Sequence, residues 1–274
     1  MCLSIPIIGT EVTDMLHRPV PPGPPAQLKT VDRCLVLLGL FTPETPEWTP
    51  SMAAAALGIP RSVAHRLLAT LGARGFLTQD RERGRYRPGL RLIALGLLAQ
   101  RVHGFEVVRP ALRHLAETTG LSVFMTVMEG DTAATVEKVE TEGSSVRLTL
   151  EVGARSPLHA GASQRVLLAH LPTARQLAHL AHPLQQCTAA TLVEPGALRT
   201  TLAAIRSRGY DFTVGELTPG VAALAVPLFA PGGLLVASLS VAGPAERVPP
   251  EAVSRLLPAL QAAAREIEAC LREG

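Results

Sequence analysis

Aromatic side chains are scarce in this sequence, at 3% of 274 residues, and charged ones reach only 18%, below the usual quarter or so. Apolar residues at 47% still allow a packed core, and the length suits two domains. Abundant Ala, Leu, Arg, Gly and Pro reflect codon usage more than function. The four cysteines, Cys2, Cys34, Cys187 and Cys270, lie far apart, with no CxxC and no Cys/His pair at metal-ligand spacing. That excludes a zinc site and a disulfide framework, and they read as small core hydrophobes of a reduced, intracellular chain. No apolar run reaches the ~18 residues of a membrane span. The first eight residues lack the basic start and the length of a signal peptide, so the cytoplasm is the expected location and no membrane partner is expected. Nucleophile elbow, Walker loop, helix-opening GxGxxG and HExxH are all missing, which argues against an enzyme and predicts no cofactor and no metal. His182 and Cys187 are close in sequence but lack the orienting partners of a catalytic pair.

The charge is unevenly spread. Net charge is +3, yet residues 61–91 hold eight arginines (61, 66, 74, 81, 83, 85, 87, 91) against Asp80 and Glu82, giving +6 and leaving −3 for the rest. A basic block in an otherwise mildly acidic chain is an electrostatic footprint for nucleic acid. A charge run alone can equally be a solvated helix face, so its position in the fold has to decide.

Residues 1–27 end in Pro21-Pro22-Gly23-Pro24-Pro25 and read as an extended, disordered tail. Regular pattern starts at Thr30, where Val31, Cys34, Leu35, Leu38 and Phe41 make one apolar helix stripe. Thr49-Pro50 supplies an N-cap and a first-turn proline for a short helix that Gly58 ends. Ile59-Pro60 then turns the chain into a third helix over 61–74. Two helices joined by a tight Gly-containing turn are the helix-turn-helix signature. In the third helix Val63, Leu67 and Leu71 read as the buried side, leaving Arg61, Ser62, His65, Arg66 and Ala69 on the free face. Phe76-Leu77-Thr78 and Arg85-Tyr86-Arg87 read as short strands of a basic hairpin, the wing. Such a helix enters the major groove with its first side chains on base edges, and wing arginines take the backbone. The predicted DNA-binding residues are Arg61, Ser62, His65, Arg66, Arg83 and Arg85. The competing reading is a winged helix used as a protein-interaction scaffold.

A helix over 89–103, apolar on more than one side, reads as both linker and dimer element. Mixed α/β pattern follows: a helix over 109–119, strands over 122–128, 133–139 and 146–150, helices over 163–171 and 195–208, strands over 210–217, 222–229 and 234–241, and a last helix over 250–271. The predicted fold is α+β: a winged helix-turn-helix at 28–89, a linker helix at 90–106, and at 107–274 an antiparallel sheet with flanking helices that binds an effector and drives oligomerisation.

From Lys29 onward the sequence resembles the IclR family of bacterial transcription regulators. The resemblance rests on Val31-Asp32-Arg33-Cys34-Leu35, on Ala56-Leu57-Gly58-Ile59-Pro60-Arg61-Ser62-Val63-Ala64-His65-Arg66, on Arg74-Gly75-Phe76-Leu77 and on Gly84-Arg85-Tyr86-Arg87-Pro88-Gly89. Pro157-Leu158-His159-Ala160, Glu194-Pro195-Gly196-Ala197-Leu198, Arg208-Gly209-Tyr210 and Ser240-Val241-Ala242-Gly243-Pro244 follow in family order. The chain departs from the family at Thr213, at Ala230 and at Gln164-Arg165, where members usually carry Gly-Lys.

What the resemblance implies is a GAF-like second domain that binds a small, often acidic metabolite, and a homodimer or homotetramer on a pseudo-palindromic double-stranded DNA operator. His159-Ala160-Gly161-Ala162-Ser163 leads into a helix, so free N–H groups and the dipole's positive end can face an anion. The predicted effector-binding residues are Val146, Leu148, Ala162, Ser163, Thr213, Ala223, Ser238 and Ser240. With Thr213 and Ala223 small and uncharged, the expected effector is a bulky, hydrophobic acid whose carboxylate sits on the N–H groups of Ala162 and Ser163. A small-molecule-binding enzyme on a GAF-like fold is the alternative for this domain.

Overall fold

The computed structural model describes residues 28–42, 44–80, 82–102, 105–140 and 150–273. The proline-rich segment 1–27, Val146 and Leu148 lie outside the described residues. Two compact units meet in sequence at Arg101 and Val102.

The first unit packs α1 (Lys29–Gly39), α2 (Pro50–Leu57) and α3 (Arg61–Ala73) against a two-stranded sheet of β1 (Leu77–Asp80) and β2 (Arg85–Pro88). The caps are those expected. Thr49 accepts a hydrogen bond from the Met52 N–H at 3.3 Å, Pro50 occupies the first turn, and Gly58 takes the left-handed conformation at φ 60°. Trp48 bridges β2 through paired backbone bonds with Tyr86 at 2.9 and 2.8 Å, and its indole N–H donates to the Leu40 carbonyl. One aromatic thus anchors the wing to the end of α1. The core comprises Leu37, Ala53, Ala64, Leu67, Leu68, Leu71, Leu77 and Tyr86. On α3 the buried stripe is therefore Ala64, Leu67, Leu68 and Leu71, while Val63 is only half-buried. Leu67 and Leu71 are thus buried as predicted, and Ala64 rather than Val63 heads the stripe.

α4 (Leu90–Val102) follows, with no buried residue along its length.

In the second unit, β3 (Ser122–Glu129), β4 (Thr132–Val139), β5 (Arg155–Pro157), β6 (Asp211–Val214), β7 (Val221–Ala230) and β8 (Leu234–Pro244) form one antiparallel sheet in the order β5-β4-β3-β8-β7-β6. α5 (Phe105–Thr119) and α9 (Val253–Glu273) cover one face through Leu112, Leu115, Leu256, Leu260 and Ile267. α6 (Ala162–His170) and α8 (Pro195–Arg208) cover the other through Val166, Leu167, Leu198, Leu202 and Ile205. Covering both faces explains why β8 is buried almost throughout.

α5 starts before the predicted 109 and carries Pro110 inside, and the strand predicted over 210–217 stops at Val214, where the chain turns back. A further helix, α7 (Thr173–Leu180), and the edge strand β5 were not predicted. Each is too short to establish a period. Cys34, Cys187 and Cys270 are free and partly exposed, and of these Cys34 packs on the first unit's core. Among the described residues no helix is long and apolar enough to cross a membrane, and no group of three metal-ligating side chains gathers.

Candidate nucleic-acid interface and ligand cavity

Because Ala64, Leu67 and Leu68 hold α3 to the core, its opposite side presents Arg61, Ser62, His65 and Arg66 to solvent. Neither Arg61 nor Arg66 forms an ion pair among the described residues, so each guanidinium keeps its full set of donors for an external acceptor. Around them Arg74, Arg83, Arg85 and Arg87 are exposed as well, while Arg81 lies outside the described residues. The Asp80 carboxylate accepts the N–H groups of Glu82 and Arg83 at 3.0 and 3.1 Å and so shapes the wing tip on which Arg83 sits. Arg85 differs from its neighbours, since its Nη1 meets Glu47 Oε2 at 3.1 Å.

The second unit holds a buried helix with polar residues in it. All eight positions from Ala162 to Ala169 are buried, Ser163, Gln164 and Arg165 included. Buried polar groups require partners. Arg165, 4% exposed, finds them on the adjoining strand and turn: Nε donates to Asp211 Oδ2 at 2.7 Å, and Nη1 donates to both oxygens of Glu216 at 2.7 and 2.8 Å. Arg208 donates to the other Asp211 oxygen at 2.6 Å. Two guanidinium groups therefore face two carboxylates. Burial pushes the Asp211 and Glu216 carboxyls up, against the pull of Arg165 on both. Thr188 and Thr191 hydroxyls donate to the Glu216 carbonyl, and Thr188 also to that of Gly215, so the turn after β6 is fastened at several points.

Between this turn, the start of α6 and the inner sheet face lies a cavity whose mouth is open to solvent. Phe124, Leu150, Leu217, Val221, Ala223 and Ala242 make the apolar walls. Ser163, Gln164, Thr213, Glu216, Thr218 and Ser240 supply the polar groups. Ser163, Thr213 and Ser240 are each 5% exposed or less, and their hydroxyls carry no hydrogen bond among the described residues. The helix start offers more donors. Gly161 precedes α6 at φ 96° with its N–H on the Glu216 carboxylate, while the N–H groups of Ala162 and Ser163 have no acceptor among the described residues.

The structure brings Ala162, Ser163, Thr213, Ala223 and Ser240 to this cavity. Ser238 is outside the lining: fully buried on β8, its Oγ lies 3.5 Å from the Thr126 carbonyl. His159 is also outside, its Nε2 meeting the Gln185 carbonyl at 2.8 Å. Sequence reasoning missed Phe124, Gln164, Glu216, Leu217 and Thr218. The wall is not free of carboxylate as Thr213 and Ala223 suggested, since Glu216 restores one.

The family described as the bacterial transcriptional regulator IclR C-terminal domain matches residues 97–269, and the IclR helix-turn-helix domain matches residues 30–81. The chain belongs to the IclR family. It is accordingly a transcriptional regulator with a helix-turn-helix DNA-binding domain and a C-terminal effector-binding domain. The HTH-type transcriptional regulator BhcR of Paracoccus denitrificans is 34% identical over 244 residues, 88% of this chain and 86% of that protein. The crystal structure of an IclR transcriptional regulator from Alicyclobacillus acidocaldarius superposes with a TM-score of 0.80 at 26% identity, covering 89% of this chain and 99% of that one. An IclR homologue from Microbacterium hydrocarbonoxydans, solved in complex with 4-hydroxybenzoate, gives 0.78 at 26% identity over 89% and 100%.

Proposed function

We propose that this regulator binds a pseudo-palindromic operator in the cytoplasm as a dimer, and that a small organic acid in the α6 cavity controls that binding without being transformed. Arg61, Ser62, His65 and Arg66 read the major groove, and Arg83 and Arg85 take the phosphate backbone. The acid's carboxylate sits on the N–H groups of Ala162 and Ser163, with Thr213 and Ser240 as further hydrogen-bonding groups and Ala223 in the wall.

The observation that carries the effector assignment is the convergence of the Ser163, Thr213 and Ser240 hydroxyls, without a hydrogen-bond partner among the described residues, on one cavity beside the start of α6. Apolar walls with a few convergent polar groups suit a small ligand. A carboxylate fits because the donors on offer include amides at the positive end of a helix. The neighbour solved with 4-hydroxybenzoate lends weight to an acid of that size.

Footprinting across the promoter of the chain's own gene, with and without 4-hydroxybenzoate or benzoate, tests the proposal. A protected site of two related halves whose occupancy changes with acid supports it. A single asymmetric half-site, insensitive to every acid tried, sinks it.

A further inference from the structure

We propose that Gln164 is a specificity-determining residue of the effector cavity, setting the length of acid that the cavity accepts. The inference rests on the effector reading above and adds the residue that limits its ligand.

Gln164 is the third residue of α6, is 2% exposed and lines the cavity. Its side chain spans from α6 to the edge strand β5, where Nε2 donates to Ser156 Oγ at 2.8 Å. On the other side it presses on the chain: a Cβ on Gly161 would come within 2.7 Å of Gln164 Oε1. Held at one end by Ser156 and abutting Gly161, the amide stands as part of the cavity wall. Because it borders the cavity, removing the side chain adds its volume to the cavity directly. The added lobe ends on the Ser156 hydroxyl, 6% exposed and then without its partner. That lobe is polar at its far end and lies beside the amides at the start of α6. A longer acid can reach it.

The test uses the full-length protein and four acids that differ by one methylene each: benzoate, phenylacetate, 3-phenylpropionate and 4-phenylbutyrate. Each is titrated by calorimetry into wild type, Gln164→Gly and Gln164→Asn, the last keeping the amide but shortening it. Wild-type affinity should peak at one member and drop roughly tenfold or more at the next longer one, the usual effect of one methylene in a closed pocket. In Gln164→Gly the peak should move at least one methylene longer, with Gln164→Asn in between. An identical rank order in all three proteins overturns the assignment of Gln164 while leaving the effector cavity standing. Absence of binding of all four acids to wild type overturns the effector reading beneath it. Should Gln164→Gly not fold, Gln164→Asn and Gln164→Ala carry the same comparison.

Discussion

Arg165 Nε lies 2.7 Å from Asp211 Oδ2, with both side chains at 5% exposure or less. Breaking such a buried pair from one side leaves an uncompensated charge and typically costs about 3–5 kcal/mol. Asp211→Ala should lose a few kcal/mol in urea unfolding, at the lower end of that range because Glu216 still faces Arg165. Arg165→Lys keeps the charge but cannot reach Asp211 and both oxygens of Glu216 with one planar fork, so it should fall between wild type and Asp211→Ala. An Asp211→Ala protein as stable as wild type would show that the network does not support the domain.

Two histidines make stability depend on pH. Burial lowers the pKa of His170, which is partly restored by the Val166 carbonyl 2.8 Å from Nδ1 and lowered again by Arg206. Burial also lowers that of His179, with His159 adding to the effect from a ring 5.6 Å away. A depressed folded value means the unfolded chain binds the proton first, so their contribution is complete above the ordinary value of 6.5 and is lost as pH falls below it. Asp211 and Glu216, raised from 3.8 and 4.5, contribute with the opposite slope, their share declining as pH rises above those values. The histidine effect is therefore read as a difference. Urea midpoints at pH 7.5 and 5.5 should fall less in His179→Gln and in His170→Gln than in wild type. Equal falls in all three proteins would discard the histidine account.

The winged helix was legible residue by residue because its signals are local. Thr49-Pro50 and Gly58 bound α2 by capping chemistry, and a 3.6-residue apolar period marks α1 and α3, although on α1 the buried residue is Leu37, outside the predicted stripe, whose Val31 and Leu35 are exposed. On α3 period reasoning found Leu67 and Leu71 but favoured Val63 over the smaller Ala64. In the second unit, strands with long apolar runs were placed well, whereas the three residues of β5 carry no pattern at all. Ala162 and Ser163 could be foreseen at the cavity from the turn that opens α6. Glu216 could not, because it arrives from 51 residues away through a turn that Arg165, Thr188 and Thr191 fasten. One signal did point there: the polar pair Gln164-Arg165 inside an otherwise buried helix, which demands partners that the local sequence does not supply.

Division of labour within the basic block gives a third prediction. Arg61 and Arg66 are exposed on α3 and form no ion pair among the described residues, while Arg83 sits at a wing tip held by Asp80. Arg61→Ala should cost ~1–3 kcal/mol on the preferred operator and relax base preference at one position. Arg83→Ala should weaken all sequences alike and reduce the slope of log affinity against log salt by about one. Arg85→Ala should do less than Arg83→Ala, because the Glu47 contact already offsets part of the Arg85 charge. Anisotropy titrations over a range of salt on operator and mutated operator separate these outcomes. A change of base preference in Arg83→Ala at unchanged salt slope would reverse the assignment.

The proposed dimer rests on apolar surface that the single chain leaves in water. On α4, Leu90 is 80% exposed, Ile93 60%, and Leu97 and Leu98 55% each. Leu28, Val31 and Leu35 at the start of α1 are exposed as well. A single exposed leucine is ordinary, but a 13-residue helix with six large apolar side chains exposed and none buried is not. Isolated helices of this length are marginal in water, so an apolar partner surface would stabilise α4. A second copy is the occupant consistent with a two-fold operator, since it sets the two α3 helices about one DNA turn, ~34 Å, apart. Ile93→Glu combined with Leu97→Glu buries charge at that seam and should convert the protein from dimer to monomer in sedimentation experiments. Operator binding should weaken with it, because one monomer occupies only a half-site, while the Arg61 and Arg83 contacts within that half-site remain. A double variant that sediments as wild type and binds the full operator unchanged would place the dimer interface elsewhere.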